Sequence, residues 1–165
     1  MGTTGETVSK ECDIDRQTMD AFAARSQERA AQAWENGWFD WETFSVEVPQ
    51  RRGDPMILNT DEGVRAGTTV ESLAKLRPVF DRDGSVTAGN ASTLNDGASA
   101  VLIAEAGFAK AQGWEIIATI EDYVTSGVEP ARVMSAPITA VKSLLERNNL
   151  DVLDVDVYEL SLIHI

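Results

Sequence analysis

The sequence predicts an α/β fold of which this chain holds only a part. From residue 100 onward strands and helices alternate: strand Ala100–Ala104, helix Glu105–Gln112, strand Ile116–Thr125, helix Pro137–Asn148 and strand Val155–Leu160. That order is typical of layered α/β folds. The strand at residue 100 is almost wholly apolar, as is normal for a strand that helices cover on both faces. Because too few helices are predicted to cover it, we expect a larger core.

The residues before this alternation predict one long helix and one edge strand. Asp15 can cap a helix that runs to about Asn36, with apolar residues at helical spacing. Gly37 follows as a C-terminal stop signal. Apolar and polar residues alternate over Thr43–Pro49, which predicts a short strand at a sheet edge.

A polar stretch then separates the edge strand from the alternating elements. Residues 51–69 are polar and contain turn-forming Gly53, Pro55, Gly63 and Gly67, and we expect an ordered excursion there and not a linker. Glu71–Leu76 predicts one or two helical turns, which Pro78 ends. Asp83-Gly84 is a strong turn signal.

The charge balance argues against several classes of partner. The chain of 165 residues carries 27 acidic and 14 basic residues, for a net charge of −13. This disfavours nucleic acid or an anionic membrane surface as the main partner. No apolar run approaches the about 20 residues that a membrane-spanning helix needs, and the N-terminus lacks a secretory signal pattern. We therefore expect a cytoplasmic protein.

The single cysteine excludes an internal disulfide and a paired-cysteine metal or redox site. Cys12 lies between Glu11 and Asp13, whose charges would oppose a thiolate. We interpret it as an incidental free thiol and not as a nucleophile, and we expect no metal site.

Two motifs in the run Ser72–Asp96 carry a resemblance to a known family. Ala74–Phe80 reads AKLRPVF, and Thr87–Ala98 reads TAGNASTLNDGA. Together they closely resemble the thiolases, and this combination is long and specific. The similarity extends along almost the whole chain, through MGTTGE at the start, DAFAARSQ at Asp20–Gln27 and DVYEL at Asp156–Leu160.

The resemblance implies a partial thiolase fold. Thiolases contain two similar βαβαβ halves and a loop domain that covers the coenzyme A site. By this resemblance residues 1–94 are most of the loop domain, and residues 95–112 are a strand and helix that end the N-terminal half. Residues 113–160 would be the first βαβ of the C-terminal half.

The last five residues depart from the family pattern. After Glu159-Leu160 the family continues Asn-Glu-Ala-Phe-Ala, whereas this chain reads SLIHI over residues 161–165. We expect this tail to be non-native sequence. It contains His164, the only histidine, which we do not assign as a catalytic base.

The implied activity is thioester Claisen condensation or thiolytic cleavage of 3-oxoacyl-CoA with coenzyme A, as in fatty acid metabolism. Acyl-CoA and coenzyme A would be substrates, no cofactor would be bound permanently, and the full-length enzyme would be a homodimer or homotetramer. This chemistry needs a thiolate, a second base and oxyanion donors. The family takes them from a reactive Cys and from the NEAFA, GHP and CxGGG motifs. None of these occurs here, so we assign no catalytic residue and expect the chain alone to be inactive.

The family's ligand contacts carry over only to matched positions. Ser92 matches a serine that hydrogen-bonds the pantetheine arm, and Ala88 matches a position that lines its tunnel. Arg65 matches a residue near the adenine and 3′-phosphate, and Met1 matches a methionine in the acyl region. The other positions that match the nucleotide and pantetheine path are Ser72, Leu73, Val79, Phe80 and Leu94.

Structural interpretations of the same residues stay open. Ser92 suits a turn, Arg65 a solvated surface, and Val79 and Phe80 plain packing. A polyanion would have to approach the one dense basic cluster, but two of its members, Lys75 and Arg77, suit pairing with nearby acids. The full cluster is Arg51, Arg52, Lys75 and Arg77.

Two other functions remain as alternatives. The first is a non-catalytic module that binds coenzyme A or acyl-CoA. The second is an interaction protein that uses an aromatic cluster as an interface, although we favour packing of the helix onto the adjacent strand as the explanation of that cluster. The cluster comprises Trp34, Trp38, Phe39 and Trp41.

Overall fold

The computed structural model describes residues 2–160, which fall into two compact units that divide between Ser92 and Thr93. Met1 and the tail 161–165 lie outside the described residues. The binding role predicted for Met1 and the non-native origin predicted for the tail therefore stay predictions. So do the predicted domain boundaries at residues 94 and 112.

Two helices open the first unit. Helix α1 spans Gly2–Glu11 and helix α2 spans Arg16–Glu35. The predicted cap of α2 is confirmed, since the side chain of Asp15 accepts a hydrogen bond from the Thr18 amide at 2.7 Å. Gly37 ends the helix with φ of +68°, a backbone conformation that favours glycine. The sequence did not predict α1, because the residues it buries are polar: Thr4, Glu6 and Ser9.

A small antiparallel hairpin follows. Strand β1 spans Val46–Val48 and strand β2 spans Met56–Leu58, with Glu47 opposite Ile57. The predicted edge strand is confirmed over three of its residues. Its partner β2 was missed, because three residues carry too little alternation to predict a strand.

A short helix and a tight turn lead to the end of the first unit. Helix α3 spans Val70–Leu73 and is capped by Thr69, so the predicted helix is present but shorter than expected. The predicted turn at Asp83-Gly84 is also confirmed, with the Gly84 amide donating to the Asp81 carbonyl at 3.1 Å.

The second unit consists of short helices and irregular segments. Helix α4 spans Ala106–Ala111 and helix α5 spans Ala136–Asn148, in agreement with the two predicted helices. One 3-10 helix spans Pro130–Ser135 and another spans Val152–Asp154. Both carboxylate oxygens of Glu105 cap α4 by accepting from the amides of residues 107 and 108.

Three strand predictions in the second unit are wrong for the described chain. No strand is assigned within residues 100–104, 116–125 or 155–160 of the part that the structure describes. A strand exists only where a neighbouring strand receives its backbone hydrogen bonds. Side chains of these segments also stand open to solvent, such as Leu102 at 81% exposure and Ile117 at 95%. These segments therefore have the apolar pattern of strands but no strand to pair with within residues 2–160.

The described interior is small and as polar as it is apolar. Within residues 2–160 no helix is long and apolar enough to cross a membrane. The interior is described by its buried side chains. The buried apolar residues are Ala23, Ala33, Leu73, Val86 and Ala109, and the buried polar residues are Thr4, Glu6, Ser9, Asp20, Thr87 and Asn90.

Candidate functional site

Asn90 organises the stretch that contains the TAGN motif. Its Oδ1 accepts from the Thr87 amide at 2.7 Å, and its Nδ2 donates to the Ser85 carbonyl at 3.0 Å. The Thr87 hydroxyl accepts from the Gly89 amide at 3.2 Å. Thr87 and Asn90 are almost fully buried, at 0% and 2% exposure. We call residues 85–90 the anchored segment, because its own side chains hold its backbone in one conformation.

An ion pair on α2 ties the anchored segment to the rest of the first unit. Asp20 Oδ1 accepts from Asn90 Nδ2 at 2.9 Å, and its Oδ2 accepts from Arg16 Nε at 2.7 Å. The second arm of the Arg16 guanidinium donates to the carbonyls of Leu73 at 2.6 Å and Leu76 at 3.2 Å. Asp20 is 1% exposed, so its charge is compensated only by these partners. Helix α2, the end of α3 and the anchored segment thus share one buried network.

Glu6 on α1 holds the other end of the anchored segment. Its two carboxylate oxygens accept from the Ser85 amide at 3.0 and 2.9 Å, and Oε1 also accepts from the Val86 amide at 2.7 Å. The Ser85 hydroxyl donates to Oε2 at 3.2 Å. A side chain at position 84 would overlap this carboxylate, which explains Gly84. Charge-assisted bonds of this kind are about twice as strong as neutral ones.

Close packing supports the same segment from α3. A Cβ atom at Gly89 would stand 2.5 Å from Leu73 Cδ2 and 2.6 Å from Leu76 Cδ1. Real Cβ atoms do not approach other carbon atoms so closely, so a side chain at this position would force Leu73 and Leu76 to shift. The family motif therefore contains residues that build the segment as well as residues that are free to contact a ligand.

Several of the predicted ligand contacts in the first unit are exposed around this framework. Ala88 and Ser92 are exposed, as are Val79 and Phe80. Val79 lies opposite the anchored segment, with its amide donating to the Val86 carbonyl at 3.0 Å. Because Thr87 and Asn90 turn inward, the residues between and after them remain available at the surface.

Ser72, Leu73 and Arg65 have structural contacts of their own. The Ser72 hydroxyl caps α3 by accepting from the Thr69 amide at 3.1 Å and donating to the Thr69 carbonyl at 2.7 Å. Leu73 is 5% exposed, in the core against Gly89. Arg65 is exposed, and its amide donates to Gln27 Oε1 at 2.7 Å, which fixes the loop of Arg65 to α2.

The remaining predicted contact, Leu94, is fully exposed and belongs to the second unit. It is therefore not part of the framework that the first unit builds. The ligand roles of Leu94 and of the other predicted contacts remain predictions.

Charges near the segment are mixed. Lys10 Nζ lies 3.1 Å from Asp81 Oδ2, and this hydrogen bond is the main reason that the pKa of Asp81 lies below its usual range. The pKa of Glu71 is lowered by hydrogen bonds from its own amide and from Thr69, with a smaller contribution from Lys75. Lys75 thus has an acidic neighbour, in line with the pairing alternative for this residue. The basic residues Arg51, Arg52, Lys75 and Arg77 are all exposed.

Two open cavities lie in the first unit. One of about 230 Å³ is lined by charged and polar residues, among them Glu6, Lys10, Arg16 and Ser85. The other, of about 380 Å³, is more apolar and is lined by residues that include Trp34. The second cavity lies beside Arg65, because Val64 and Ala66 both line it.

The structure describes the only thiol of the sequence but not its only histidine. Cys12 is exposed, and the only histidine of the sequence lies in the tail outside the described residues. Over residues 2–160, no group of three or more His, Cys, Asp or Glu side chains is placed to hold a metal ion.

Sequence reasoning missed the residues that hold the segment in place. Arg16 and Asn90 had no role assigned, and Glu6 and Asp20 were noted only as parts of motifs. A signal was present for Asp20, which lies three positions before the buried Ala23 and so on the inward face of α2. An acid on that face requires a buried partner.

The chain matches a family model and several known proteins. The model described as "Thiolase, N-terminal domain" matches residues 1–107. A probable acetyl-CoA acyltransferase from Staphylococcus epidermidis is 47% identical over 161 residues, which are 98% of this chain and 41% of that protein.

Two solved structures resemble the chain closely. The acetyl-CoA acetyltransferase of Bacillus anthracis aligns with a TM-score of 0.86 and 37% identity, over 95% of this chain and 40% of that one. The dimeric peroxisomal thiolase of Saccharomyces cerevisiae aligns with a TM-score of 0.87 and 36% identity, over 99% of this chain and 41% of that one.

These matches establish the fold as part of an α/β thiolase fold, as the sequence predicted. The chain belongs to the thiolase family. It spans about 40% of the length of the relatives that it matches.

Proposed function

We propose that this chain is the coenzyme A-binding part of an acyltransferase that makes or cleaves 3-oxoacyl-CoA by thioester Claisen chemistry. The relatives it matches are named as acetyl-CoA acyltransferase, acetyl-CoA acetyltransferase and thiolase, and such names describe enzymes of coenzyme A thioesters. Coenzyme A and acyl-CoA would be substrates and not permanently bound groups.

One observation carries this proposal. The side chains of Thr87 and Asn90 are buried and fix the anchored segment, whereas Ala88 and Ser92 beside them are exposed. A rigid backbone that presents a small side chain and a hydroxyl suits a linear arm that carries amides. The hydroxyl can donate or accept a hydrogen bond, and the alanine leaves room for the arm.

We further propose that the chain by itself does not catalyse the reaction. Thiolysis needs a thiolate that carries the acyl group and a base that moves a proton. Cys12 is exposed between two acidic residues, and the single histidine lies in the tail. No thiolysis of acetoacetyl-CoA above a blank is expected from the purified chain, and measurable turnover would contradict this part of the proposal.

Binding is tested by isothermal titration of the chain with coenzyme A. We expect saturable binding that Ala88→Leu weakens about tenfold or more by filling the space for the arm. Ala21→Leu, at an exposed position of α2, serves as the matched control and is expected to bind as the unsubstituted chain does. Equal binding by both variants, or no binding by the unsubstituted chain, would contradict the proposal.

A non-catalytic coenzyme A-binding module is the second candidate. It is favoured by the self-contained first unit, in which the anchored segment takes its support from within residues 2–92. The assay that separates the two candidates uses the longer gene product from the same source. Turnover of acetoacetyl-CoA by that product would exclude a module without catalytic activity.

The assembly and location of the whole enzyme are also proposals. The yeast relative is described as dimeric, so we propose a homodimer or homotetramer for the whole enzyme, in the cytoplasm and in fatty acid metabolism. Light scattering of the full-length product measures its mass directly, and a monomeric mass would contradict the proposed assembly.

A further inference from the structure

We propose that Glu6 and Asp20 are positioning residues for the pantetheine arm of coenzyme A, acting through the backbone of the anchored segment. This inference rests on the proposed function and assigns a role to two acids that contact no predicted ligand atom. Each carboxylate comes from a different helix, and each holds one end of the anchored segment.

Glu6 fixes the start of the segment. It is 4% exposed, and it accepts the amides of Ser85 and Val86 together with the Ser85 hydroxyl. Two adjacent amides that converge on one carboxylate leave little freedom to rotate the backbone between them. A neutral amide of the same shape would turn a donor toward at least one of these N–H groups.

Asp20 fixes the end of the segment through Asn90. Its Oδ1 takes the Asn90 Nδ2–H, which leaves Asn90 Oδ1 to hold the Thr87 amide at 2.7 Å. Its Oδ2 is held in turn by Arg16 at 2.7 Å. Asp20 thereby fixes the orientation of the Asn90 amide and, with it, the backbone on both sides of Ala88.

Replacing either acid with its amide changes the hydrogen bonding of the network. Within residues 2–160 every buried side-chain nitrogen and oxygen has a hydrogen-bond partner. Asp20→Asn keeps the volume and shape but sets its amide nitrogen against a donor, either Asn90 Nδ2 or Arg16 Nε. Glu6→Gln removes the charge that strengthens the two amide bonds and turns Nε2 toward the Ser85 amide. We expect the backbone at Ala88 to shift, whereas the loop of Arg65 has its own anchor on Gln27 and should not move.

The test separates the two halves of the ligand. Coenzyme A, pantetheine and adenosine 3′,5′-bisphosphate are titrated separately at a temperature where circular dichroism shows each variant to be folded. We expect Glu6→Gln and Asp20→Asn to weaken coenzyme A and pantetheine about tenfold, with less than about a twofold change for the nucleotide half. Glu28→Gln, an exposed acid on α2, is the matched control and should change none of the three affinities.

Two results of these titrations would overturn the positioning role, and a third would overturn the proposed function as well. Unchanged pantetheine affinity, or an equal loss for both halves of the ligand, would overturn the positioning role, because a purely structural role affects both halves alike. No binding of coenzyme A by the unsubstituted chain would overturn the proposed function and this inference with it.

A milder variant covers the case in which the amide variants do not fold. Ser85→Ala removes the hydroxyl contacts to Glu6 and to the Ser9 hydroxyl and keeps both amide contacts. It is expected to weaken pantetheine about threefold and to leave the nucleotide half unchanged. Unchanged pantetheine affinity in this folded variant would overturn the role of Glu6.

Discussion

The two units of the chain differ in how their side chains are used. In the first unit buried polar groups from α1 and α2 reach across the sequence to hold the anchored segment. In the second unit Ala109 is the one buried side chain among residues 93–160. Apolar residues there, such as Leu102 and Ile117, are open to solvent.

A match to a family is therefore not equivalent to a self-supporting structure. Both units match known thiolases, because the solved relatives align over 95% or more of the chain. Yet among the described residues only the first unit buries polar side chains, and each of them has a hydrogen-bond partner. The proposed ligand-binding segment lies in the unit that supports itself, and the apolar segments of the second unit have no such support within the described residues.

The largest effect is expected from removing the acid at the centre of the first unit. Asp20→Ala leaves Arg16 and the Asn90 amide without their shared partner. We expect a loss of about 3 kcal/mol in the free energy of unfolding, at the low end for a broken buried ion pair because Arg16 keeps some contact with solvent. Urea unfolding followed by tryptophan fluorescence measures this mainly in the first unit, which holds Trp34, Trp38 and Trp41.

Glu28→Ala provides the control on the same helix at an exposed position. A change of less than about 0.5 kcal/mol is expected there. Similar effects of the two substitutions would mean that the first unit does not depend on its buried network.

A pair of glycines compares packing in the two units. Gly89→Ala would place a methyl group against Leu73 and Leu76, so we expect a loss of about 1–3 kcal/mol from overpacking. At Gly97 no neighbouring atom lies within 4 Å of the position that a methyl group would occupy, so Gly97→Ala should stay within about 0.5 kcal/mol. Urea unfolding of both variants measures the two changes in unfolding free energy. Equal losses of unfolding free energy would contradict this difference in packing between the units.

Exposed apolar segments should make the second unit the main site of hydrophobic dye binding. Leu102 and Ile103 are 81% and 71% exposed. Replacing both with Asn should lower the fluorescence of a bound anilinonaphthalene dye. The unfolding free energy of the first unit should change by less than about 0.5 kcal/mol. Dye fluorescence that does not respond to the substitution would place the exposed apolar surface elsewhere.

The smallest effect concerns acid sensitivity of the second unit. Hydrogen bonds from Asn148 and from the Tyr123 amide hold the pKa of Asp122 below its ordinary value of 3.8. Its stabilising effect is therefore present above pH 3.8 and is lost as the pH falls through the lower folded-state pKa. Asp122→Asn should weaken the loss of helical circular dichroism in this acid range, whereas Asp156→Asn at an exposed position should not. Identical acid curves for all three chains would contradict this role of Asp122.

The sequence predicted those elements whose signals are local. Helix α2 was predictable because Asp15 and Gly37 mark its ends. Helix α1 was not, because it buries polar residues and so lacks apolar periodicity. The three strands of the second unit were predicted wrongly, since an apolar run gives a tendency but pairing requires a distant partner.

The candidate site divides in the same way. The family motif located the segment and the exposed residues within it. It did not identify Glu6 or Asp20 as supports, because their partners lie 79 and 70 residues away in sequence. Long-range hydrogen bonds of this kind leave no periodic pattern in a single sequence.

Hydrogen–deuterium exchange of the chain with and without coenzyme A shows whether the first unit supports the coenzyme A-binding segment. We expect the amides of Val86 and Thr87 to exchange slowly even in the free chain, because Glu6 and Asn90 accept their hydrogen bonds. Coenzyme A should add protection over residues 85–92 and should leave residues 100–104 unchanged. Rapid exchange of both amides in the free chain, or ligand protection confined to the second unit, would contradict the claim that the first unit builds and supports the coenzyme A-binding segment.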